Sequence, residues 1–216
     1  MKITILVDDD TSWFIPYAKK LMIRIGEQAT TELIHDYRMG NGGDISFLLS
    51  CSKITPVSFL NKYEHNIVVH ASDLPQGQGF SPMKWQVLEG KNEIVLTLFE
   101  AVEKVDDGNW YIKDKIVYNG YELLPELQSI MAEKIISMCL DYVQNYKAMP
   151  SNKQVGERSW YPRFRDKDDS LDINKSIAEQ FNHLRIADND YHPLWFNYEG
   201  HKYYIKVYDD KSLQRK

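Results

Sequence analysis

Short apolar runs separated by helical stretches fill the first seventy residues. Four runs are rich in apolar and β-branched residues and have the length of buried strands: 3–7, 30–36, 45–49 and 66–70. Two segments between them, 13–25 and 55–61, follow residues that cap or open helices. Strands that alternate with helices predict successive βα units, so we expect an α/β fold with a Rossmann-like, mostly parallel sheet. In such a sheet ligands bind outside the carboxyl ends of the strands.

The second half of the chain predicts longer and more varied elements. They are a helix (82–88), two strands (94–100 and 110–117), a long helix (124–146), another helix (173–184) and a hairpin (194–198 with 203–208). The long helix carries one apolar stripe, which is typical of a helix that faces a core. A break at 148–152 predicts a main domain, 1–150, and a small C-terminal extension of helix and hairpin, 151–216.

Composition narrows the class of partner. The chain has 216 residues, of which 43% are hydrophobic and 26% charged, close to globular averages. Its net charge of −5 argues against a protein that grips nucleic-acid backbones, since that affinity depends on lysine and arginine. A nucleotide-sized ligand stays possible because it needs only one or two basic groups.

The expected cellular location depends on hydrophobic segments and on the two cysteines. No apolar stretch reaches membrane-spanning length, and the run at 3–7 is too short for a signal peptide. Cys51 and Cys139 are far apart and in apolar company, which favours reduced, buried thiols. We therefore expect a cytoplasmic protein that does not associate with membranes.

Acidic and polar residues follow the first predicted strand. Asp8–Asp10 are consecutive and cannot easily all face one ion, so we expect a solvated loop and no metal. Trp13 lies just beyond this loop, at the carboxyl edge of the strand. That position makes Trp13 a candidate for substrate contact.

The segment from His70 to Pro82 is the strongest local signal. A histidine that ends an apolar strand can project into the ligand crevice, and the glycines and prolines after it let the backbone approach a ligand. The alternative is a histidine that only caps the strand. Gly77 and Gly79 do not form the dinucleotide-binding fingerprint, because Pro82 stands where its third glycine belongs.

A second signal is the turn Val105–Gly108, which contains Asp106. Asp and Gly suit the dihedral angles of turns for local reasons, so this sequence alone is more typical of a surface turn. It gains weight only in combination with His70.

The two signals together carry a family resemblance. The order His70-x-Ser72-x-Leu74-Pro75, then Gly79, Pro82, Trp85, Leu88 and Gly90, then Thr97-Leu98 and Val105-Asp106-x-Gly108 resembles the signature of the folate-dependent formyltransferases. The match is close over 66–117. The resemblance implies that residues 1–150 form the catalytic domain of an enzyme that passes the formyl group of 10-formyltetrahydrofolate to a primary amine.

The family assigns its chemistry to an asparagine, a histidine and an aspartate. By the motif, His70 polarises the formyl oxygen or shuttles the amine proton, and Asp106 fixes the protonation of the imidazole and receives positive charge. The asparagine position holds Val68 here. Asn66 lies on the same strand face but two residues further back, and a strand-entry role for it stays open. Either another donor replaces the asparagine, such as Ser81 or an N–H near 77–79, or the enzyme is slower.

The resemblance also implies binding residues. Folate contacts are expected from Ser72, Leu74, Val102, Val105 and Gly108. Substrate contacts are expected from Trp13, Gly79, Ser81, Arg163, Arg165, Tyr191 and Trp195. The two arginines suit a pyrophosphate, or else pair with 166–169 at the surface. The two aromatic residues suit a nucleobase platform, or else pack in the hairpin.

Length and charge favour one branch of the family. The acidic chain fits a sugar-nucleotide N-formyltransferase, which acts on a UDP-, dTDP- or GDP-linked aminodeoxysugar, better than it fits a tRNA enzyme with basic surfaces. A methionyl-tRNA or other small-amine formyltransferase, and a non-catalytic homologue that binds folate or a nucleotide, are the alternatives. The aromatic hairpin suggests a possible homodimer.

Overall fold

The computed structural model describes residues 1–210. In chain order its elements are β1 (Lys2–Leu6), α1 (Ile15–Ile25), β2 (Thr30–Ile34), β3 (Gly43–Leu48), α2 (Val57–Leu60), β4 (Tyr63–His70), β5 (Gln78–Gly79), α3 (Pro82–Leu88), β6 (Glu93–Glu100), β7 (Trp110–Val117), α4 (Leu124–Asn145), β8 (Trp160–Tyr161), α5 (Phe181–Arg185), β9 (Leu194–Tyr198) and β10 (His201–Ile205).

Six strands form the main sheet in the order β2-β1-β3-β4-β6-β7. The pairs β1–β2, β1–β3 and β3–β4 are parallel, whereas β4–β6 and β6–β7 are antiparallel. The predicted Rossmann-like, mostly parallel α/β fold is confirmed. Because the chain passes from β1 to β2 on one side and then to β3 on the other, the strand order reverses at β1. This reversal places a ligand crevice at the carboxyl ends of β1 and β3.

The long helix α4 supplies much of the core. Its buried positions recur at helical spacing and include Leu127, Met131, Ile135 and Tyr142. Burying a side chain of this kind contributes about 1.5–3 kcal/mol, so the stripe holds α4 against the sheet and against α1. The predicted core-facing helix is therefore confirmed.

The cysteines lie apart and neither forms a disulfide. Cys139 is fully buried in α4, and Cys51 is half-buried at the end of β3. Burial raises the pKa of Cys51 to about 12, because a thiolate is poorly solvated there. Among the described helices none combines the length and apolar composition that crossing a bilayer requires.

The helix predicted over 173–184 is wrong for most of its length. Only Phe181–Arg185 is helical. Before it, the side chain of Gln180 bonds to backbone atoms of Asp172, Lys175 and Ser176. Side chains that bond to nearby backbone compete with the helical pattern, so this stretch folds as successive turns.

The predicted hairpin is confirmed as β9 and β10, although its second strand begins at His201 rather than at residue 203. The division of the chain near residue 150 stays a prediction. In the structure, β8 of the predicted extension pairs in parallel with β5, which belongs to the main part of the chain. Residues after 150 therefore help to build the loop that follows His70.

Candidate active site

A cavity of about 640 Å³ opens at the carboxyl ends of β1, β3 and β4, where the strand order places it. Cavities of this size accommodate small-molecule ligands. Eight of the predicted catalytic and binding residues line it: Trp13, His70, Gly79, Ser81, Val102, Val105, Asp106 and Arg163.

His70 ends β4 and is 8% exposed. Its Nε2 lies 2.8 Å from the carbonyl oxygen of Gly77. A carbonyl can only accept a hydrogen bond, so Nε2 carries the proton and Nδ1 keeps its lone pair. Among the described residues Nδ1 has no hydrogen-bond partner. The local backbone therefore fixes which nitrogen of the ring can accept a proton.

Glycine is required at position 77. Gly77 has φ +68°, which favours glycine, and a Cβ there would lie 2.9 Å from Ser72 Cβ and from the ring of Tyr161. Its N–H donates to Ser159 Oγ at 2.8 Å. The backbone that positions His70 is thus fixed by the nearby Ser72 and by one distant segment, 159–161.

Asp106 faces the same cavity from the loop after β6. Its Oδ2 accepts a hydrogen bond from the N–H of Gly79 at 2.8 Å. Its carbonyl accepts from the side-chain amides of Gln78 (2.7 Å) and Gln154 (3.0 Å). These bonds hold a non-glycine residue at φ +53°, a conformation that Asp adopts more readily than most residues.

The predicted direct partnership between His70 and Asp106 is wrong. In the described part of the chain no hydrogen bond or ion pair joins the two side chains. Each is bonded instead to the backbone of 77–79, His70 to the carbonyl of Gly77 and Asp106 to the N–H of Gly79. Gly77, rather than Asp106, sets the tautomer of the imidazole.

The structure corrects the expected role of Asn66. Its side-chain oxygen accepts from Ser46 Oγ at 2.6 Å, and its amide nitrogen donates to the carbonyl of Leu60 at 3.0 Å. Both polar atoms are therefore bonded, one to β3 and one to the end of α2, and Asn66 does not line the cavity, whereas Val68 does. Asn66 is a structural residue of β4.

The backbone N–H groups near 77–79 cannot replace the family asparagine either. Those of residues 77, 78, 79 and 80 already donate to Ser159 Oγ, the Ser159 carbonyl, Asp106 Oδ2 and the Tyr161 carbonyl. Ser81 is different, because it lines the cavity and its hydroxyl has no partner among the described residues. The Ser81 hydroxyl is therefore the remaining candidate to replace the family asparagine.

Three of the predicted folate contacts are buried in the loops instead of lining the cavity. Ser72 and Leu74 are 2% and 0% exposed. A Cβ on Gly108 would lie only 1.7 Å from the carbonyl oxygen of Glu100, so this glycine permits a close approach of two backbones. These residues shape the site, and Val102 and Val105 remain as cavity-lining candidates for folate.

Of the two arginines predicted to contact substrate, only Arg163 lies at the cavity. The Arg163 guanidinium lines the cavity, donates to the carbonyl of Ser52 at 2.8 Å and lies 4.2 Å from the ring centroid of Phe80. Arg165 does not line it, and its backbone N–H bonds to Asp168. The expected pair of arginines is therefore reduced to Arg163.

The two aromatic residues predicted to form a nucleobase platform, Tyr191 and Trp195, do not lie in the same cavity. Tyr191 lines a second cavity of about 830 Å³, which adjoins the first at Trp13 and His192. Trp195 lies in neither cavity, because its Nε1 donates to the carbonyl of Asp166 and Lys202 covers its ring at 4.0 Å. Trp195 is a packing residue of the hairpin.

Sequence reasoning missed a polar cluster at the wall of the first cavity. Lys84 of α3 and His192 line this wall, and Asp169, which does not line it, is close enough for both to act on its charge. Asp169 is 1% exposed, and burial raises the pKa of its carboxyl to about 6 although Lys84 and His192 oppose this effect. The only sequence signal was the acidic run around 166–169, which is more typical of a solvated turn.

The chain thus has the architecture of the Rossmann-like α/β proteins that bind ligands at the switch point of the sheet, and here a histidine and a carboxylate line that cavity. The Formyl transferase family matches residues 8–125, more than half of the chain. The chain belongs to this family, and the resemblance seen in its motifs is confirmed.

Three relatives show the range of similarity. The methionyl-tRNA formyltransferase of Streptococcus agalactiae is 27% identical over 149 residues, which cover 67% of this chain and 47% of that protein. The structure of methionyl-tRNA formyltransferase from Clostridium thermocellum has a TM-score of 0.82 at 18% identity and covers 96% of this chain and 92% of that one. A sugar N-formyltransferase from Shewanella has a TM-score of 0.71 at 13% identity and covers 96% and 97%.

These similarities establish the family and the fold of the chain, but not its acceptor. The chain spans about half the length of the curated relatives it matches. The two solved structures are below 25% identity, so they show that the fold is shared.

Proposed function

We propose that this chain transfers the formyl group of 10-formyltetrahydrofolate to the amino group of a nucleotide-linked aminodeoxysugar. The formyl donor of the family is formyltetrahydrofolate. One observation carries the proposal: His70 and Asp106 line a cavity at the switch point, with His70 held in the tautomer that can accept a proton. The apolar residues Phe99, Val102 and Val105 line part of the same cavity and suit a flat aromatic ring system.

The tautomer of His70 supports the role of base over that of a proton donor to the formyl oxygen. A neutral imidazole whose Nε2–H is bonded to Gly77 has no proton on Nδ1 to offer a formyl oxygen. We therefore assign His70 the role of base. The amine nitrogen bonds to the formyl carbon, its proton passes to Nδ1, and the bond from that carbon to N10 of the folate breaks as N10 takes the proton. The products are a formamide and tetrahydrofolate.

Asp106 supports this step through its charge. The N–H of Gly79 holds Oδ2, while Oδ1 has no hydrogen-bond partner in the described part of the chain. A carboxylate beside the attacking amine stabilises the positive charge that develops on nitrogen before the proton leaves. Ser81 then supplies a hydroxyl for the oxygen that becomes negative.

The choice of acceptor rests on charge and on Arg163. A net charge of −5 is unfavourable for holding tRNA, whereas one arginine at the cavity suffices for a sugar nucleotide. Methionyl-tRNA is the second candidate acceptor, because the curated relatives in the comparison are tRNA enzymes. Formylation of methionyl-tRNA with strong salt dependence would favour that candidate.

Release of tetrahydrofolate tests the proposal. The purified chain is incubated with 10-formyltetrahydrofolate and a panel of UDP-, dTDP- and GDP-linked aminodeoxysugars, and mass spectrometry identifies the formylated product. Release with at least one member of the panel supports the proposal. Folate binding without release by any amine would instead indicate a non-catalytic homologue.

A further inference from the structure

The position of the Asp106 carboxylate depends on an uncommon backbone conformation. Asp106 has φ +53°, in the left-handed region that non-glycine residues rarely occupy. Such a conformation is costly and persists only where surrounding contacts fix it. A change to a more common conformation would redirect the side chain and break the hydrogen bond, 2.8 Å long, that Oδ2 accepts from the N–H of Gly79. The groups that hold the backbone of Asp106 therefore control where its carboxylate lies.

Residues 152–161, here named the strap, contact both loops that carry candidate catalytic groups. The strap begins at Asn152, which exchanges two backbone hydrogen bonds of 2.8 and 2.9 Å with Trp110, shortly after the first of these loops. Near its end, Ser159 accepts the backbone N–H groups of residues 77 and 78 in the other loop. One segment of the chain thus holds two loops that are far apart in sequence.

Gln154 is the residue of the strap that bonds to the backbone of Asp106. Its Nε2 donates to the carbonyl of Asp106 at 3.0 Å and to the carbonyl of Gly108 at 2.8 Å. Only the nitrogen of the amide can donate, so the two carbonyls fix its orientation. Gln78 donates to the same Asp106 carbonyl at 2.7 Å. The carbonyl of Asp106 is therefore held by two amides, and Gln154 alone ties it to the other end of the turn.

The oxygen of the same amide indicates that Gln154 is not optimised for stability. Its Oε1 is inaccessible to solvent and has no hydrogen-bond partner within residues 1–210. A buried acceptor without a partner destabilises the folded state, so its presence in a native structure calls for an explanation. Local choices that cost stability are expected at functional sites. The explanation offered by the geometry is that the amide is needed for its nitrogen.

We propose that Gln154 is a positioning residue for formyl transfer: its amide holds the carbonyls of Asp106 and Gly108 and so keeps the Asp106 carboxylate directed into the cavity. This inference rests on the proposed function, because Gln154 is assigned an effect on catalysis through Asp106. Gln154 does not line the cavity. Its loss should therefore lower kcat and leave KM nearly unchanged.

Gln154→Leu tests the role, because leucine has a similar size but makes neither bond. The control is Gln180→Leu: the Nε2 of Gln180 also donates to backbone carbonyls, but in the turns before α5. We expect kcat of Gln154→Leu to fall at least about tenfold, with KM for the acceptor and binding of 5-formyltetrahydrofolate within about threefold of wild type. Gln180→Leu should keep kcat, and thermal unfolding of both variants should show similar, small losses in Tm.

A double-mutant cycle separates positioning from general structural support. If Gln154 acts through the Asp106 carboxylate, adding Gln154→Leu to Asp106→Asn should lower kcat by less than about threefold, because the group that it positions is already changed. A structural role that reaches catalysis by another route would lower kcat equally in both backgrounds. Effects that multiply in the double variant would therefore overturn the inference.

Gln154→Glu tests whether the N–H donor is what matters. Glutamate has the shape of glutamine, but at pH 8.5 its carboxylate is ionised and can only accept hydrogen bonds. It would face two carbonyl oxygens, so kcat at this pH should be at least as low as that of Gln154→Leu. Wild-type kcat in Gln154→Glu would show that the donor is not required, and the inference would be wrong.

Failure of the inference is distinct from failure of the proposed function. If wild type formylates the panel while Gln154→Leu and Gln180→Leu have equal kcat, the proposed function stands and the inference is wrong. Loss of folate binding by Gln154→Leu in parallel with kcat would show a general disruption of the site and would also overturn it. If wild type formylates no member of the panel, the proposed function fails and the inference fails with it.

Discussion

His70 and Asp106 are coupled through a shared backbone segment. His70 donates from Nε2 to the carbonyl of Gly77, and Asp106 accepts from the N–H of Gly79, each at 2.8 Å. The segment is fixed in turn by residues of the tail, since Gly77 and Gln78 donate to Ser159. The positions of the two candidate catalytic side chains therefore depend on the backbone conformation of 77–79.

Gly77→Ala should disrupt this arrangement. An added Cβ would lie 2.9 Å from Ser72 and Tyr161 at a φ that alanine disfavours, so the carbonyl that orients His70 must shift. We expect a loss of about 1–2 kcal/mol from the free energy of unfolding and a much lower kcat. Gly200→Ala is the matched control, because Gly200 also has positive φ but open space around it. It should lose similar stability and keep its kcat; equal kcat in both variants would argue against the coupling.

Asp106→Asn should lower kcat by about 10²–10³, the range for a group that stabilises charge in the transition state, with little change in folate binding. The amide keeps an oxygen that can accept from Gly79, so the loop should stay in place. Asp107→Asn is the control at the neighbouring position, where Lys104 and Arg158 pair with the carboxylate and lower its pKa. If Asp107→Asn impairs kcat as much as Asp106→Asn does, the role assigned to Asp106 is wrong.

Ser81→Ala should lower kcat by about 10²–10³ if its hydroxyl stabilises the developing negative charge. KM should change little, because this interaction strengthens only in the transition state. Steady-state kinetics with Ser58→Ala, an exposed serine on α2, provides the control. Introducing the family amide by Val68→Asn should recover part of the activity of Ser81→Ala; no loss on Ser81→Ala would exclude this hydroxyl.

Asp169→Asn should stabilise the protein above neutral pH. Burial raises the pKa of Asp169 to about 6 from an ordinary value of 3.8, so between these values the folded state binds more protons than the unfolded state. Stability therefore falls as pH rises through this window. At pH 7.5 the variant should gain about 1–3 kcal/mol in the free energy of unfolding, and the gain should vanish near pH 4.

Denaturant unfolding at several pH values measures this effect. Asp172→Asn is the control of opposite sign, because hydrogen bonds from Asn174 lower the pKa of Asp172. It should bring no gain at pH 7.5. A gain for Asp169→Asn that does not depend on pH would show that titration is not its cause.

Most of the fold was predictable because apolar periodicity is a local signal. The strands around Ile5, Phe47 and Ile67 each hold a short group of apolar residues, and each of these three residues is fully buried. The helix over 173–184 was wrong because Gln180 and its neighbours bond to the backbone, which residue type alone does not reveal. Side-chain hydrogen bonds to the backbone determine the conformation of that segment.

The site was predictable only where its residues belong to a recognisable sequence motif. His70 and Asp106 were found through their joint motif, while the pairing of 78–79 with 160–161 depends on a contact across eighty residues. Lys84, Asp169 and His192 come from three distant segments, so no local pattern could bring them together. The side chain of Asn66 likewise bonds to Ser46 and to the carbonyl of Leu60, and only the folded chain brings these groups beside it.

Formyl transfer by wild type and by His70→Asn, with the same acceptor and folate, tests most directly whether His70 acts as the base. Tetrahydrofolate release and product mass should show a formylated aminosugar nucleotide for wild type. We expect His70→Asn to be slower by at least about 10² in kcat while it binds 5-formyltetrahydrofolate normally. Full activity of His70→Asn would show that His70 is not the base, and no transfer by wild type to any acceptor of the panel would contradict the proposed function.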